Sequence, residues 1–230
     1  DGGYKAKWLK LLVNESLKYG ELIVVAPKVE QSGKSHAILI RQEMEFKKTD
    51  DIVKGVDTYY LDGSPADCVR AAYYYLHDPF DLVLSGVNEG YNVGEDIIYS
   101  GTVAAATEGA ILGKNAISLS TDYKCIDGIE KSLQIALEYV FKNKILDKWC
   151  LYNINMPLNS KGIKYSAQGK THYTCEFEEI GNGIQSKGRP LECPDSLPYS
   201  DMGYTYEGFT TISPLSISRT NYEILTKLLN

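Results

Sequence analysis

Residues that could bind an anion are concentrated in the segment Leu84–Gly109, LSGVNEGYNVGEDIIYSGTVAAATEG. Within it, Ser100, Gly101 and Thr102 directly precede a helical pattern. The first N–H groups of a helix have no partner inside the helix, and together with the helix dipole they favour an anion, most often a phosphate. The same residues also fit an ordinary helix start with Thr102 as the N-cap, so this stretch leaves both interpretations open.

Oxygen ligands for a hard cation stand in three separate loops, at Asp1, Ser32 and Asn88. Mg²⁺ and Mn²⁺ favour carboxylate, hydroxyl and amide oxygens, and they keep open positions for a phosphate. A cation beside a phosphate site indicates phosphoryl transfer to water. Each of the three residues also fits an ordinary turn, so the prediction depends on their convergence in space.

Strands and helices alternate along the first two thirds of the chain. Helical spacing is predicted for residues 5–19, 64–77, 102–113 and about 125–144, and strands for ELIVVAP, AILI, DTYYLDG, FDLVLSG, AISLS and WCLYNINMP. This alternation predicts an α/β fold with a mostly parallel sheet covered by helices on both faces. Ligands bind at the carboxyl ends of such strands, so the loops DGG, APKVEQSG and SGVNEGYN are expected to meet there.

The amino-acid composition changes after Pro157, where the sequence becomes polar, glycine-rich and aromatic. We therefore predict a core at residues 1–157, whose first strand is expected to precede Asp1, and an antiparallel extension at residues 158–230. The extension is predicted to contain hairpin segments at KGIKYSAQ and HYTCEFEEI, a strand at YTYEGFTTISP and a helix at TNYEILTKLLN. Exposed strand edges invite pairing, so the extension is expected to form a homo-oligomer.

Composition excludes several classes of function. The 24 basic and 30 acidic residues of this 230-residue chain give a net charge of −6, which argues against a nucleic-acid polymer as partner. No apolar run has the length of a membrane span and no secretory leader is visible, so we expect a cytoplasmic protein without a membrane partner. Five cysteines without a CxxC pair indicate reduced thiols rather than a zinc site. A GxGxxG motif is absent after the predicted strands, which argues against a dinucleotide-dependent oxidoreductase, and absence of NAD binding would remove that alternative.

Five segments resemble, in order and spacing, the survival protein SurE family of metal-dependent nucleotidases. They are VVAP…QSG, DGSPADCV, DLVLSGVNEGYNVGEDIIYSGTVAAATEG, YNINMP and GFTTISPL, and they span nearly the whole chain. The resemblance implies a Rossmann-like three-layer sandwich with a C-terminal antiparallel hairpin extension through which a homodimer or homotetramer forms. It also implies phosphomonoesterase activity on nucleoside 5′- and 3′-monophosphates.

The resemblance further implies a role for individual residues. A divalent cation, Mg²⁺ or Mn²⁺, would be bound by Asp1, Ser32 and Asn88, and Asp1 and Asn88 would be catalytic. The substrate phosphate would be contacted by Asn92, Ser100, Gly101 and Thr102. These residues lie in the same loops that the pattern of strands and helices predicts to converge.

The start of the chain departs from the family pattern, in which a first strand is followed by NDDG. The alignment without a gap places Asp1 at the first acid and Gly2 at the second, whereas a gapped alignment makes Asp1 the second acid. We prefer the ungapped alignment, which predicts weaker cation binding because one carboxylate is lost. It leaves an alternative function, a SurE-like nucleotide-binding protein with weakened or no catalysis.

Overall fold

The computed structural model describes residues 2–50, 52–77, 79–123, 128–146, 150–170, 174–189 and 197–229. Asp1, a predicted cation ligand and catalytic residue, lies outside these ranges. The α-helices within them are α1 (Lys7–Ser16), α2 (Pro65–Tyr74), α3 (Gly101–Ile111), α4 (Ile129–Lys142), α5 (Asp201–Tyr206) and α6 (Tyr222–Leu229). The strands are β1 (Val24–Pro27), β2 (Phe46–Thr49), β3 (Thr58–Leu61), β4 (Leu82–Glu89), β5 (Asn115–Thr121), β6 (Leu151–Met156), β7 (Ile163–Tyr165), β8 (Glu176–Ile180), β9 (Gly183–Lys187) and β10 (Thr210–Pro214).

The strands form two sheets and a separate hairpin. In the larger sheet the order is β4-β5-β6-β10-β7, with β4, β5 and β6 parallel and β10 antiparallel to β6. The smaller sheet has the order β1-β3-β2, with β1 and β3 parallel. Strands β8 and β9 pair antiparallel as the hairpin of the C-terminal extension. The predicted α/β class with a mostly parallel core and a hairpin extension is confirmed.

Two pairs of helices cover the strands. Helix α1 packs against α4, and helix α2 packs against α3, while α1 and α3 each contact β4. This arrangement places the parallel strands between two helical layers, as the predicted three-layer sandwich requires. The carboxyl ends of the parallel strands therefore open toward the loops that enter the next helices.

Helix α4 illustrates how the sequence pattern forms the core. Ile129, Leu133, Ala136, Leu137 and Val140 recur at helical spacing and are fully buried in the central apolar cluster. Burying an aliphatic side chain of this size stabilises the fold by about 1.5–3 kcal/mol. The predicted helix at residues 125–144 is thus confirmed from Ile129 to Lys142, and residues 124–127 lie outside the described part of the chain.

A cavity of about 850 Å³ separates the two sheets. It is lined on one side by Val24–Pro27 of β1 and on the other by residues 81–87 at and around β4, with Gly2 and Gly3 beside it. In the described part of the chain, β1 and β4 pair with other strands and not with each other. The expected strand before Asp1 stays a prediction.

The structure corrects three of the predicted elements. The apolar run AILI at residues 37–40 is a loop, and β2 begins only at Phe46. The segment YTYEGFTTISP contains the end of α5 before β10 starts at Thr210, because Ser200 caps a short helix by accepting a hydrogen bond from the Gly203 N–H group. In KGIKYSAQ, β7 pairs parallel with β10 and forms no hairpin with its chain neighbours. The boundary at residue 157 stays a prediction, although strands from both sides of it share the larger sheet.

Candidate active site

Asn88 lies at the carboxyl end of β4, where the strand departs from regular pairing. The register with β5 shifts between Ser85 and Asn88. Gly86 has φ +143°, and a Cβ atom there would lie 2.4 Å from the Leu119 carbonyl oxygen, so only glycine fits. The Asn88 amide nitrogen donates to the Gly90 carbonyl oxygen at 2.8 Å, which orients the Oδ1 atom toward the neighbouring helix.

The start of α3 meets the Asn88 side chain. The Thr102 hydroxyl group donates to Asn88 Oδ1 at 3.4 Å. Ser100 is the N-cap, since its Oγ atom accepts a hydrogen bond from the Val103 N–H group at 3.1 Å. Gly101 and Thr102 then supply the first backbone N–H groups of an 11-residue helix, at the end where the dipole is positive. The structure thus brings a predicted cation ligand together with a predicted phosphate-binding helix start.

Asn92 lies in a buried polar network with residues of β5 and β6. Its N–H group donates to Asn155 Oδ1 at 2.8 Å, and its amide nitrogen donates to the Ser120 hydroxyl oxygen at 2.7 Å. Its carbonyl oxygen accepts from the amide nitrogens of Asn153 at 2.7 Å and Asn155 at 2.8 Å. Asn92 is 7% exposed, and the two β6 asparagines are fully buried. Its backbone is therefore fixed, while its contact with a phosphate stays a prediction.

Sequence reasoning did not assign a role to Asn153 and Asn155. Both stand in YNINMP, which is readily interpreted as an ordinary buried strand. Their spacing of two residues places both amides on the same face of β6. A buried asparagine must find hydrogen-bond partners, so two of them on one strand face were the available signal for a structured polar loop above the sheet.

Ser32 lies in the loop of residues 28–45, which we call the β1–β2 loop. Its side chain is exposed, and its hydroxyl group donates to the Glu30 Oε1 atom at 2.6 Å. The Ser35 N–H group donates to the Tyr99 carbonyl oxygen at 3.0 Å, so this loop contacts the segment that leads into α3. The loop with the predicted cation ligand Ser32 therefore adjoins the loop with the predicted phosphate-binding residues.

Two buried carboxylates hold the β1–β2 loop. Glu108 of α3 contacts His36 of the loop and Arg70 of α2, with Oε2 2.8 Å from His36 Nε2 and Oε1 2.9 Å from Arg70 Nη1. The hydrogen bond with His36, followed by that with Arg70, lowers the pKa of Glu108 against the effect of burial. Asp67, 3% exposed, accepts from the Leu39 N–H group at 3.1 Å. It also forms a capping box with Ser64 at the start of α2.

A third buried carboxylate connects the C-terminal part of the chain with the loop before α3. Asp201, 1% exposed, accepts from the Gly94 N–H group at 3.1 Å and from the Gly169 N–H group at 2.9 Å. Gly94 begins the short 3-10 helix Gly94–Ile98 that precedes Ser100. Gly169 follows β7 in the C-terminal part of the chain. Asp201 therefore links this part of the chain with the segment that enters α3.

The predicted cation ligands fit a hard cation in chemical type. The described part of the chain holds no group of three His, Cys, Asp or Glu side chains suited to a metal. The available ligands are instead the Ser32 hydroxyl and Asn88 amide oxygens, which Mg²⁺ and Mn²⁺ accept. Asp1, the predicted carboxylate ligand, lies outside the described residues.

Comparisons with known proteins show similarity over nearly the whole chain. A family model described as Survival protein SurE matches residues 1–175. The chain is 33% identical over 247 residues to the 5'-nucleotidase SurE of Clostridium beijerinckii, covering 98% of this chain and 94% of that protein. It is 35% identical over 241 residues to the 5'-nucleotidase SurE of Legionella pneumophila, covering 100% of this chain and 94% of that protein. The crystal structure of the Sure protein from Aquifex aeolicus matches with a TM-score of 0.82 and 31% identity, over 99% of this chain and 95% of that chain.

Proposed function

The chain belongs to the survival protein SurE family, and from this premise we propose that it is a divalent-metal-dependent phosphomonoesterase acting on nucleoside 5′- and 3′-monophosphates. The reaction transfers the phosphoryl group to water and releases a nucleoside and inorganic phosphate. The relatives named 5'-nucleotidase SurE support nucleotidase activity on 5′-monophosphates. Activity on 3′-monophosphates and dependence on a cation are the finer parts of the proposal.

The contact between Thr102 and Asn88 is the observation that carries this function. It joins a helix start suited to phosphate with an amide oxygen suited to a hard cation, within one hydrogen bond of 3.4 Å. In phosphoryl transfer, positioning and charge stabilisation supply almost all of the catalysis. A site that combines both binding functions is the arrangement this chemistry needs.

Asp1, Ser32 and Asn88 would hold the cation, Mg²⁺ or Mn²⁺. When bound, the ion would polarise a phosphoryl oxygen and lower the pKa of a bound water. The amide group of Asn88 is kept in one orientation by its bond to the Gly90 carbonyl group. Asp1 is additionally the proposed general base for the attacking water.

The start of α3 would bind the phosphate. The N–H groups of Gly101 and Thr102, together with the N-cap residue Ser100, would stabilise the charge that develops on the equatorial oxygens, as backbone donors at a helix start do. Asn92 would add a contact from the loop that Asn153 and Asn155 fix. These groups are held before substrate arrives, so little reorganisation is needed during the reaction.

The test is release of inorganic phosphate from a panel of nucleoside 5′- and 3′-monophosphates, with Mg²⁺, with Mn²⁺ and with EDTA. We expect metal-dependent release that falls by at least about 100-fold in Asn88→Ala, since a cation ligand and a contact of the helix start are both lost. Asn14→Ala is the matched control, because Asn14 is exposed in α1 and alanine favours a helix.

The outcome also decides between the two functions considered for this chain. Nucleotide binding without phosphate release under any metal would overturn the enzyme and leave a nucleotide-binding protein. In that case Gly2→Asp, which restores a second acid in the ungapped alignment, is the variant expected to gain activity.

We further propose that the protein is a cytoplasmic homodimer or homotetramer that assembles through residues 158–230. The β8–β9 hairpin supports this, because Phe177, Ile180 and Ile184 are apolar and more than half exposed on it. Within the described ranges, no helix has both the length and the apolar character to cross a bilayer. Light scattering on the purified protein would measure its mass, and a monomer at micromolar concentration would contradict the assembly.

A further inference from the structure

The proposed cation site carries little charge among the described residues. Ser32 and Asn88 are neutral ligands, and no cluster of three acidic, histidine or cysteine side chains accompanies them in the described ranges. Affinity for a hard cation rises with the number of charged ligands. A carboxylate in contact with either neutral ligand would therefore affect cation binding strongly.

Glu30 provides such a carboxylate. Its Oε1 atom accepts a hydrogen bond from the Ser32 hydroxyl group at 2.6 Å, and its side chain is exposed at the carboxyl end of β1. The adjacent Val29 lies against the start of the chain, since a Cβ atom on Gly3 would be 3.2 Å from the Val29 carbonyl carbon. Glu30 thus lies next to Ser32 on a segment that packs beside Gly3.

Glu45, at the end of the same loop, is differently placed. Glu45 forms ion pairs with both Lys28 and Lys47, and hydrogen bonds from these lysines lower the pKa of its carboxyl group to about 2. Its charge is therefore already balanced by two cations. Glu30 makes its described contact with a neutral hydroxyl group instead.

We propose that Glu30 is a positioning residue of the cation site, which accepts a hydrogen bond from the Ser32 hydroxyl proton and supplies the site with negative charge. With that proton directed to Glu30, the lone pairs of Ser32 Oγ are turned outward for a cation, as carboxylates near a metal commonly do for its ligands. The negative charge offsets the small number of carboxylates among the ligands. This inference rests on the proposed function, because it needs a cation at Ser32.

Binding of Mn²⁺ to the full-length protein without substrate tests the proposal. The electron paramagnetic resonance signal of free Mn²⁺ gives the affinity directly and independently of catalysis. Glu30→Gln keeps the size and an acceptor oxygen but removes the charge, so we expect Kd to rise by at least about tenfold. Glu43→Gln removes an exposed charge from the same loop and should leave Kd unchanged.

A second variant tests whether a carboxylate at position 2 can replace the negative charge of Glu30. An added side chain at Gly2 would meet only the Ala6 Cβ atom, at 3.2 Å, and the backbone of Gly2 is outside the left-handed region. Gly2→Asp combined with Glu30→Gln should therefore restore most of the Mn²⁺ affinity lost in Glu30→Gln alone.

The outcomes separate this inference from the proposed function. Equal Mn²⁺ affinity in the parent and Glu30→Gln would overturn the role of Glu30 and leave a metal-dependent nucleotidase intact. A parent that binds no Mn²⁺ and releases phosphate equally in EDTA would overturn the cation site itself, and the role of Glu30 with it.

Discussion

The Nε2 atom of His36 lies 2.8 Å from the Oε2 atom of Glu108, although the two residues are 72 positions apart in the chain. His36 belongs to the β1–β2 loop, and Glu108 belongs to the helix whose first turn is the proposed phosphate site. The same carboxylate contacts Arg70 of α2 through its other oxygen. One buried side chain thus fixes the loop that carries Ser32 relative to the helix that would bind substrate.

Replacing Glu108 by glutamine should loosen this loop. Glutamine keeps one acceptor oxygen, but its N–H₂ group would face either His36 or Arg70 in place of the second carboxylate oxygen. One of the two contacts is therefore lost. Because the carboxylate is buried while His36 and Arg70 are partly exposed, we expect the free energy of unfolding to fall by about 1–2 kcal/mol. Urea unfolding measures this loss.

The exposed pair of Glu138 and Lys142 supplies the control for Glu108→Gln. It is an i,i+4 ion pair on the surface of α4, and Glu138→Gln should leave the free energy of unfolding almost unchanged. A Glu108→Gln protein as stable as this control would contradict the anchoring role of Glu108. We also expect a higher KM in Glu108→Gln, because a loosened β1–β2 loop presents Ser32 less well.

The same contact predicts how stability depends on acid pH. Contact with His36 and Arg70 lowers the pKa of Glu108 in the folded protein, so the folded state binds this proton less readily than the unfolded chain. Its contribution is therefore complete above the unfolded pKa of about 4.3 and is lost as pH falls through the lower folded value.

Urea unfolding of the parent and Glu108→Gln from pH 7 to pH 3 would test this dependence. The difference in unfolding free energy between the two proteins should be constant down to about pH 5 and shrink below it. A difference that stays constant to pH 3 would show that the Glu108 charge does not contribute through these contacts.

The sequence predicted the regular elements better than the irregular ones. Helix α4 follows from periodicity alone, because its apolar face is determined by residues within the helix. The run AILI was predicted as a strand from its apolar character, yet Ile40 is 67% exposed and the Leu39 N–H group bonds to Asp67 of a distant helix. Contacts between residues far apart in sequence override local propensity there.

The candidate site likewise contains residues that the sequence predicted and residues that it did not. Asn88 and Thr102 were both predicted as site residues within the segment Leu84–Gly109, and the structure places their side chains in contact. The supporting residues Asn153, Asp67 and Asp201 were not assigned these roles, because each bonds to backbone groups at least 28 positions away. Such partners cannot be identified before the fold is known.

Asn155→Ala should destabilise the protein and impair the loop that carries Asn92. The substitution removes one acceptor from the Asn92 N–H group and one donor to its carbonyl group, both at 2.8 Å in a fully buried position. Each buried polar group left without a partner costs about 1–3 kcal/mol. The Asn92 carbonyl group keeps one partner in this variant, because the Asn153 amide nitrogen still donates to it.

We therefore expect a fall of about 2 kcal/mol in unfolding free energy for Asn155→Ala, together with a raised KM for nucleotide. Thermal unfolding and steady-state kinetics would measure the two effects. Asn143→Ala is the control, because that asparagine only caps the exposed end of α4. Unchanged KM in a folded Asn155→Ala protein would show that the position of Asn92 does not depend on β6.

Asp201→Asn should separate the C-terminal part of the chain from the active site. The carboxylate accepts from Gly94 and Gly169, and an amide in its place would direct N–H₂ toward one of these N–H donors. Charged acceptors form roughly twice as strong a hydrogen bond as neutral ones, so the turn before Ser100 should become less ordered. We expect KM for nucleotide to rise several-fold with a stability loss of about 1–3 kcal/mol.

Asp57→Asn is the control, since Asp57 is 55% exposed and pairs with Lys48 on the surface. Hydrogen exchange of the Gly94 and Gly169 amides would locate the effect, and protection equal to the parent at both would contradict the coupling.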